Sequence, residues 1–348
     1  MHQYRDLLRR AGQRRPQRHS PPRRESPRQN QHSPGHATHW EAKPQITGYD
    51  PVKRLHEGGL SESVKIMRHR STGVYRVLKR VNARARPREE LEILKRIPKH
   101  CHLNYMVCTA LSERHKESRA LLTLMQVEYA WISSTEVQFA LEYCDLGDLG
   151  QLLQNHIMRG QKTPESLLWN VLGDIGKALA FLHSGIKDPM VESKSRPGWD
   201  TICHLDIKPP NIFVKRGERP GDRPIFVLGD FGCAITWSDV RSHKESSQAH
   251  RHGTKDWFPP HSISQVVGEK NLAYGWHTDI WQLGAVVSTL SQLRARPHQS
   301  NLFAERTSPV GSGYSRALHD VVRQCVRSDR TKRPRAADLV RTVLRRRR

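Results

Sequence analysis

Between about residue 50 and residue 142 apolar positions come in short runs bounded by turn formers, and after residue 163 they come at helical spacing. The runs VKIMRHR and GVYRVLKRV flank Ser71-Thr72-Gly73, which predicts a hairpin with a tight turn. The period then changes in PREELEILKRI. Leu91, Leu94 and Ile97 recur at helical spacing, and Pro87 stands where a first helical turn tolerates a missing N–H. TEVQFALEYC reads as a further strand. From Thr163-Pro164 onward Leu168, Leu172, Ile175, Leu179 and Leu182 define one apolar helix face, with Gly185 as its stop. TDIWQLGAVVSTL is apolar nearly all round, the mark of a buried helix. The pattern is therefore α+β: a small β-rich part with one isolated helix, then a larger helical part.

Composition changes this picture mainly at the ends. The chain has 348 residues, 36% of them hydrophobic, which is enough for a sizeable core. Residues 1–45 are rich in Arg, Ser, Pro, Gln and His and poor in aromatics, a composition that cannot offset the entropy cost of ordering, so they are expected to form a disordered basic tail. Residues 345–348 form a second basic run. The formal charge of +24 points to polyanions or acidic surfaces as partners, and RRPQRHSPPRR in the tail reads either as a nuclear-localisation or nucleic-acid patch or as a solvated charged segment. The six cysteines include no CxxC pair, which argues against a zinc site or a disulfide framework and for a reducing, intracellular compartment, cytoplasm and/or nucleus. No run approaches the length of a membrane span.

The candidate chemistry lies in HLDIKPPN, His204 to Asn211, followed by LGDFG, Leu228 to Gly232. These segments resemble the catalytic and metal-binding loops of the eukaryotic protein kinases. Phosphoryl transfer asks a protein mainly to align two oxygens and neutralise charge on the moving group, for which carboxylates, an amide and a lysine suffice. The resemblance implies a two-lobed kinase fold over residues 50–344, with an N-lobe over about 50–141 and a C-lobe over about 146–344. It implies that Asp206 orients a substrate hydroxyl and accepts its proton, that Asn211 and Asp230 hold Mg²⁺ on the phosphates of ATP, and that Lys208 neutralises the γ-phosphate. Asp206-x-Lys208, with Thr254 bracing the aspartate, resembles the Ser/Thr branch, whose substrates are protein hydroxyls. RVLK ends on Lys79 and resembles the strand whose lysine grips the α- and β-phosphates, and EELEILKRI resembles the helix supplying its partner, with Glu90 in register. LEYCDLGDL resembles the hinge that holds adenine by the backbone around Glu142 and Cys144, with Leu141 as gatekeeper and Asp148 reaching the ribose. TDIWQLG resembles the helix whose Asp279 anchors the catalytic loop. GWDTICHLDIKPPNIFV, with the long insert before it, is most similar to the fungal kinases of the NIMA group.

Departures from the family pattern motivate competing readings. The phosphate-covering loop LHEGGLSESV offers only Gly58 and Gly59. With Val64 setting the frame, Glu57 and Glu62 replace glycines whose backbone must approach phosphates, so weaker ATP binding is expected. Leu205 stands where regulated members carry an arginine that pairs with an activation-loop phosphate. His261 replaces the glutamate that pairs with the arginine matching Arg333, so Arg333 is expected to be solvated or paired with another carboxylate. Cys233 reads as a small buried side chain. The alternatives are a pseudokinase or scaffold that binds nucleotide without efficient transfer, and a nucleic-acid-binding protein acting through the tail.

Overall fold

The computed structural model describes residues 48–58, 61–82, 87–97, 100–104, 130–132, 136–241, 253–259, 274–298, 302 and 307–346. The basic tail, Gly59 and His261 lie outside them.

The β-rich part is a five-stranded antiparallel sheet of β1 (Tyr49–Gly58), β2 (Ser61–His69), β3 (Tyr75–Asn82), β4 (Ala130–Ile132) and β5 (Glu136–Glu142), in the order β1-β2-β3-β5-β4. The expected hairpin is β2–β3, with Arg68 opposite Tyr75. Its turn closes by a 2.9 Å hydrogen bond from the Gly73 N–H to the His69 carbonyl, and Gly73 takes φ 70°, a conformation that costs glycine nothing. β3 and β5 are central, and Val81, Val137 and Phe139 on them are buried. The isolated helix is α1 (Pro87–Arg96), and Leu91, Ile93 and Leu94, with Ile97 just beyond it, bury its inner face.

The helical part contains α2 (Leu149–Arg159), α3 (Glu165–Ser184), α4 (Trp237–Arg241), α5 (Trp276–Gln292), α6 (Arg316–Cys325) and α7 (Ala336–Arg346). Two short antiparallel strand pairings complete it, β6 (Ile202–Cys203) with β9 (Ile235–Thr236) and β7 (Ile212–Lys215) with β8 (Ile225–Leu228). Gly185 ends α3 in the left-handed conformation at φ 70°, donating its N–H to the Phe181 carbonyl, as the sequence anticipates. Burial of α3 is more extensive than one apolar face, because α5, α7 and β8 all pack on it. Asp174 in its middle is therefore buried, and it is satisfied by both terminal nitrogens of Arg223 at 2.7 and 2.6 Å and by the Phe226 N–H at 3.1 Å. At the C-terminus Arg345 and Arg346 form the last turn of α7, so the helix runs past residue 344.

Arg333 is not solvated: it is 3% exposed, and it reaches backbone carbonyls, Nε donating to Arg327 O at 2.9 Å and Nη1 to His277 O at 2.9 Å. Burial pulls its guanidinium below its ordinary value, to about 9. The turn before α7 and the first turn of α5 converge their carbonyls on the side chain, and the partial charges of those carbonyls face the buried guanidinium.

The close packing of the helices predicts a sharp cost for added volume. A Cβ at Gly284 of α5 would lie 2.7 Å from the Cys325 Cβ and 2.7 Å from Val326 Cγ1. Alanine gains about 1 kcal/mol of helix propensity over glycine, whereas overpacking a filled core costs about 1–3 kcal/mol. Gly284→Ala is therefore expected to lower the urea midpoint without changing the slope, and a raised midpoint would show that α6 gives way.

Candidate functional site

Lys79 sits on β3 opposite Phe139 of β5 and Val64 of β2, and its position on a central strand leaves Nζ little solvent. Nζ donates to Glu90 Oε1 of α1 at 2.7 Å and to Asp230 Oδ1 at 2.7 Å. One cation thus joins the sheet, the isolated helix and the segment after β8. Burial acts to lower the Lys79 ammonium, but the charges of Asp230 and Glu90 outweigh it and hold it above its ordinary value. Asp230 is held below the usual carboxylate range by the Lys79 charge, against burial. Glu90, 4% exposed, is raised because burial and the charge of Asp230 exceed the pull of Lys79. Asp230 takes φ 64°, and its side chain is 44% exposed, so part of the carboxylate faces outward.

The loop between β6 and β7 brings the second group together. Asp206 Oδ1 accepts from the Thr254 N–H at 3.0 Å and the Thr254 hydroxyl at 2.8 Å, while Oδ2 accepts from Lys208 Nζ at 2.7 Å and Asn211 Nδ2 at 3.0 Å. Lys208 Nζ also donates to Thr254 Oγ1 at 2.6 Å. Asn211 Nδ2 donates a second bond to the Asp206 carbonyl at 2.9 Å, so the amide nitrogen rather than the amide oxygen is spent on Asp206. Phe231 is buried against the His204 ring, with centroids 5.1 Å apart, and His204 Nε2 lies 3.1 Å from the Gly229 carbonyl. These contacts draw the loop and the Asp230 segment together.

Helix α5 holds the loop from beneath. Asp279 accepts from the N–H groups of His204 at 2.9 Å and Leu205 at 2.8 Å, and from His183 Nε2 at 2.8 Å. Gln282, not singled out in the sequence, adds a second clamp. Its Oε1 accepts from the Ile207 N–H and its Nε2 donates to the Leu205 carbonyl, both at 3.0 Å. The signal for it was a polar side chain three residues after Asp279 in a helix otherwise apolar all round, which puts both on one face.

The remaining predicted positions are placed as follows. Gly58 pairs with Ser61 at the end of the β1–β2 hairpin, whose tip lies outside the described residues. Leu141 and Cys144 are buried, and burial pushes the Cys144 thiol up to about 12. The Glu142 side chain pairs with Lys215 at 3.0 Å. Asp148 caps α2, accepting from the Gln151 N–H at 2.9 Å and from its side-chain amide at 2.5 Å. Cys233 is partly rather than fully buried, with its thiol raised by burial.

Residues 49–344 match the family model of the protein kinase domain. Similar curated proteins include the G2-specific protein kinase nim-1 of Neurospora crassa, 29% identical over 226 residues that make up 60% of this chain and 24% of that protein. The G2-specific protein kinase nimA of Emericella nidulans is 28% identical, covering 60% of this chain and 30% of its own length. A probable serine/threonine-protein kinase nek2 of Dictyostelium discoideum is 29% identical, covering 60% and 44%. The matched part spans between about a quarter and less than half of these relatives.

The triple of Lys79, Glu90 and Asp230 makes a signed pH prediction. Lys79→Met leaves Glu90 buried without its cation, a defect of about 3–5 kcal/mol when the carboxylate stays charged. Glu90, already raised in the native protein, then binds its proton more tightly folded than unfolded, so its contribution to stability falls as pH rises. The loss on Lys79→Met is expected to be larger at pH 8 than at pH 5.5 by about 1 kcal/mol or more, and to lose this pH dependence when Glu90→Gln is added. Urea denaturation at the two pH values measures it, and an equal loss at both would contradict the electrostatic reading.

Proposed function

The chain belongs to the protein kinase domain family, and on that premise we propose that it transfers the γ-phosphoryl group of ATP to serine or threonine hydroxyls of proteins. The observation that carries this reading is the joint placement of two groups: Lys79 bound at once to Glu90 and Asp230, and Asp206 held by Thr254, Lys208 and Asn211. In this reading Asp206 receives the substrate hydroxyl. Thr254 and Asn211 fix its two oxygens in direction, which favours an aligned attack over a mobile base. Lys208 stands between Asp206 and Thr254, placing a positive charge beside the hydroxyl site. Lys79, kept cationic by its two carboxylates and held by Glu90, would supply positive charge to the α- and β-phosphates of bound ATP.

The donor set fits a hard divalent cation such as Mg²⁺. Asn211 has its amide oxygen left over from the bonds to Asp206, and Asp230 has a half-exposed carboxylate with one oxygen engaged by Lys79. Mg²⁺ bound there would neutralise charge on the phosphate oxygens. Adenine would bond to the backbone near Glu142 and Cys144, with Asp148 turning from its cap toward the ribose. The glycine-poor cover at Gly58 and Gly59 implies a weaker grip on the phosphates but leaves every transfer group in place, so transfer is favoured over a scaffold role.

Among the described residues no helix is long and apolar enough to cross a membrane. We propose an intracellular setting from the cysteine usage. Polyanion contact through residues 1–45 stands on charge alone, outside the described residues.

The test is ³²P transfer from ATP to a basic protein substrate. Asp206→Ala and Asp230→Asn are each expected to lower kcat about a thousandfold, equivalent to about 4 kcal/mol of transition-state stabilisation. Transfer by wild type no faster than by Asp206→Ala would overturn the reading.

A further inference from the structure

Leu205 offers no cation at its own position for an added phosphate to pair with. Its side chain is buried in an apolar cluster with Cys203, Phe258 and Tyr274, so what orders the segment after Asp230 must be sought elsewhere. The strands β6 and β9 supply part of the answer, and the Trp237 N–H continues their pairing onto the Thr201 carbonyl at 2.8 Å. The rest lies at Asp200, immediately before Thr201.

Asp200 meets two elements. Its Oδ1 accepts from the Ser238 N–H in the first turn of α4 at 3.0 Å, and its Oδ2 accepts from Arg96 Nη1 in the last turn of α1 at 3.0 Å. Its own backbone is pinned on both sides. Trp199 Nε1 donates to the Leu182 carbonyl at 2.9 Å and the Thr201 hydroxyl to the His183 carbonyl at 2.8 Å, both at the end of α3. The carboxylate is thus presented from a fixed base to two segments that carry the site: α1, which bears Glu90, and the segment leading from Asp230 into α4. Arg96 at the C-terminal end of α1 also matches the helix dipole, so the contact favours the helix as placed. A surface ion pair alone would contribute little, and the amide contact and pinned backbone make this junction stiffer than a pair of free side chains.

We infer that Asp200 is a positioning residue, a permanent carboxylate that ties α1 to the start of the activation segment and so keeps Glu90 against Lys79 without any added phosphate. The inference rests on the kinase reading for its effect on catalysis, but its structural half stands independently. Asp200→Ala removes both contacts, whereas Asp200→Asn keeps an oxygen for the Ser238 N–H and loses the charge facing Arg96.

Backbone hydrogen exchange and steady-state transfer are measured together on the full chain. Asp200→Ala is expected to speed exchange of the Ser238 amide and of the Leu91–Arg96 amides about tenfold. It should also lower kcat about five- to tenfold, with KM for ATP within about twofold. Asp200→Asn should speed exchange in α1 while leaving Ser238 near wild type. A general loss of stability would instead raise exchange throughout α3 and α5 as well. Unchanged α1 exchange in Asp200→Ala overturns the inference, as does faster α1 exchange with unaltered kcat in an active wild type. Should wild type show no transfer above Asp206→Ala, the kinase reading fails, and α1 exchange alone decides for or against the junction.

Discussion

The site depends on one buried carboxylate. Asp279 is fully buried in α5, where an unsatisfied oxygen would be costly, and it answers that requirement with two loop N–H groups and His183. Those bonds are also what allow Leu205 to sit at φ 63°, a conformation that costs a residue with a Cβ on the order of 1–3 kcal/mol. Hydrogen bonds to a charged group contribute about 1.5–3 kcal/mol each, so the two from His204 and Leu205 outweigh the strain. With the backbone turned in this way, Asp206 emerges toward Thr254, Lys208 and Asn211. Gln282 secures the following residue from the same helix face.

The second constraint is charge balance around Lys79. One buried cation faces two carboxylates, and the Lys79 charge prevails over burial at Asp230 while burial prevails at Glu90. Glu90 is enclosed and raised, while Asp230 is half exposed and lowered. The enclosed acid ties Lys79 to α1, and the open one has its other oxygen turned away from Lys79. Asp200 meets the last turn of α1, so the helix is held at two points along its length, Glu90 and Arg96.

Much of this was legible in the chain. Asp206, Asn211, Asp230 and Lys79 stand in short motifs whose residue types follow from phosphoryl transfer, and the hairpin, α1, α3 and α5 follow from local periodicity. What escaped was long-range. The bidentate contact of Asp174 with Arg223 joins residues 49 apart, and Arg96 meets Asp200 across 104 residues, so no local pattern marks either. Periodicity showed one apolar face on α3 because it registers only the helix and not the three elements that cover it. The burial of Arg333 was missed for a related reason. The carbonyl groups it reaches are ones every residue carries, and only the chain path says where they converge.

On the proposed reading, Asp279 sets the geometry of the loop that carries Asp206. Asp279→Asn keeps the size of the side chain but turns one oxygen into a donor that faces loop N–H groups. The direct measurement is kcat for phosphoryl transfer by this variant relative to wild type, at equal occupancy by ATP. A fall of tenfold or more, about 1.4 kcal/mol, with KM for ATP within about twofold is the predicted result, and an unchanged kcat would contradict it.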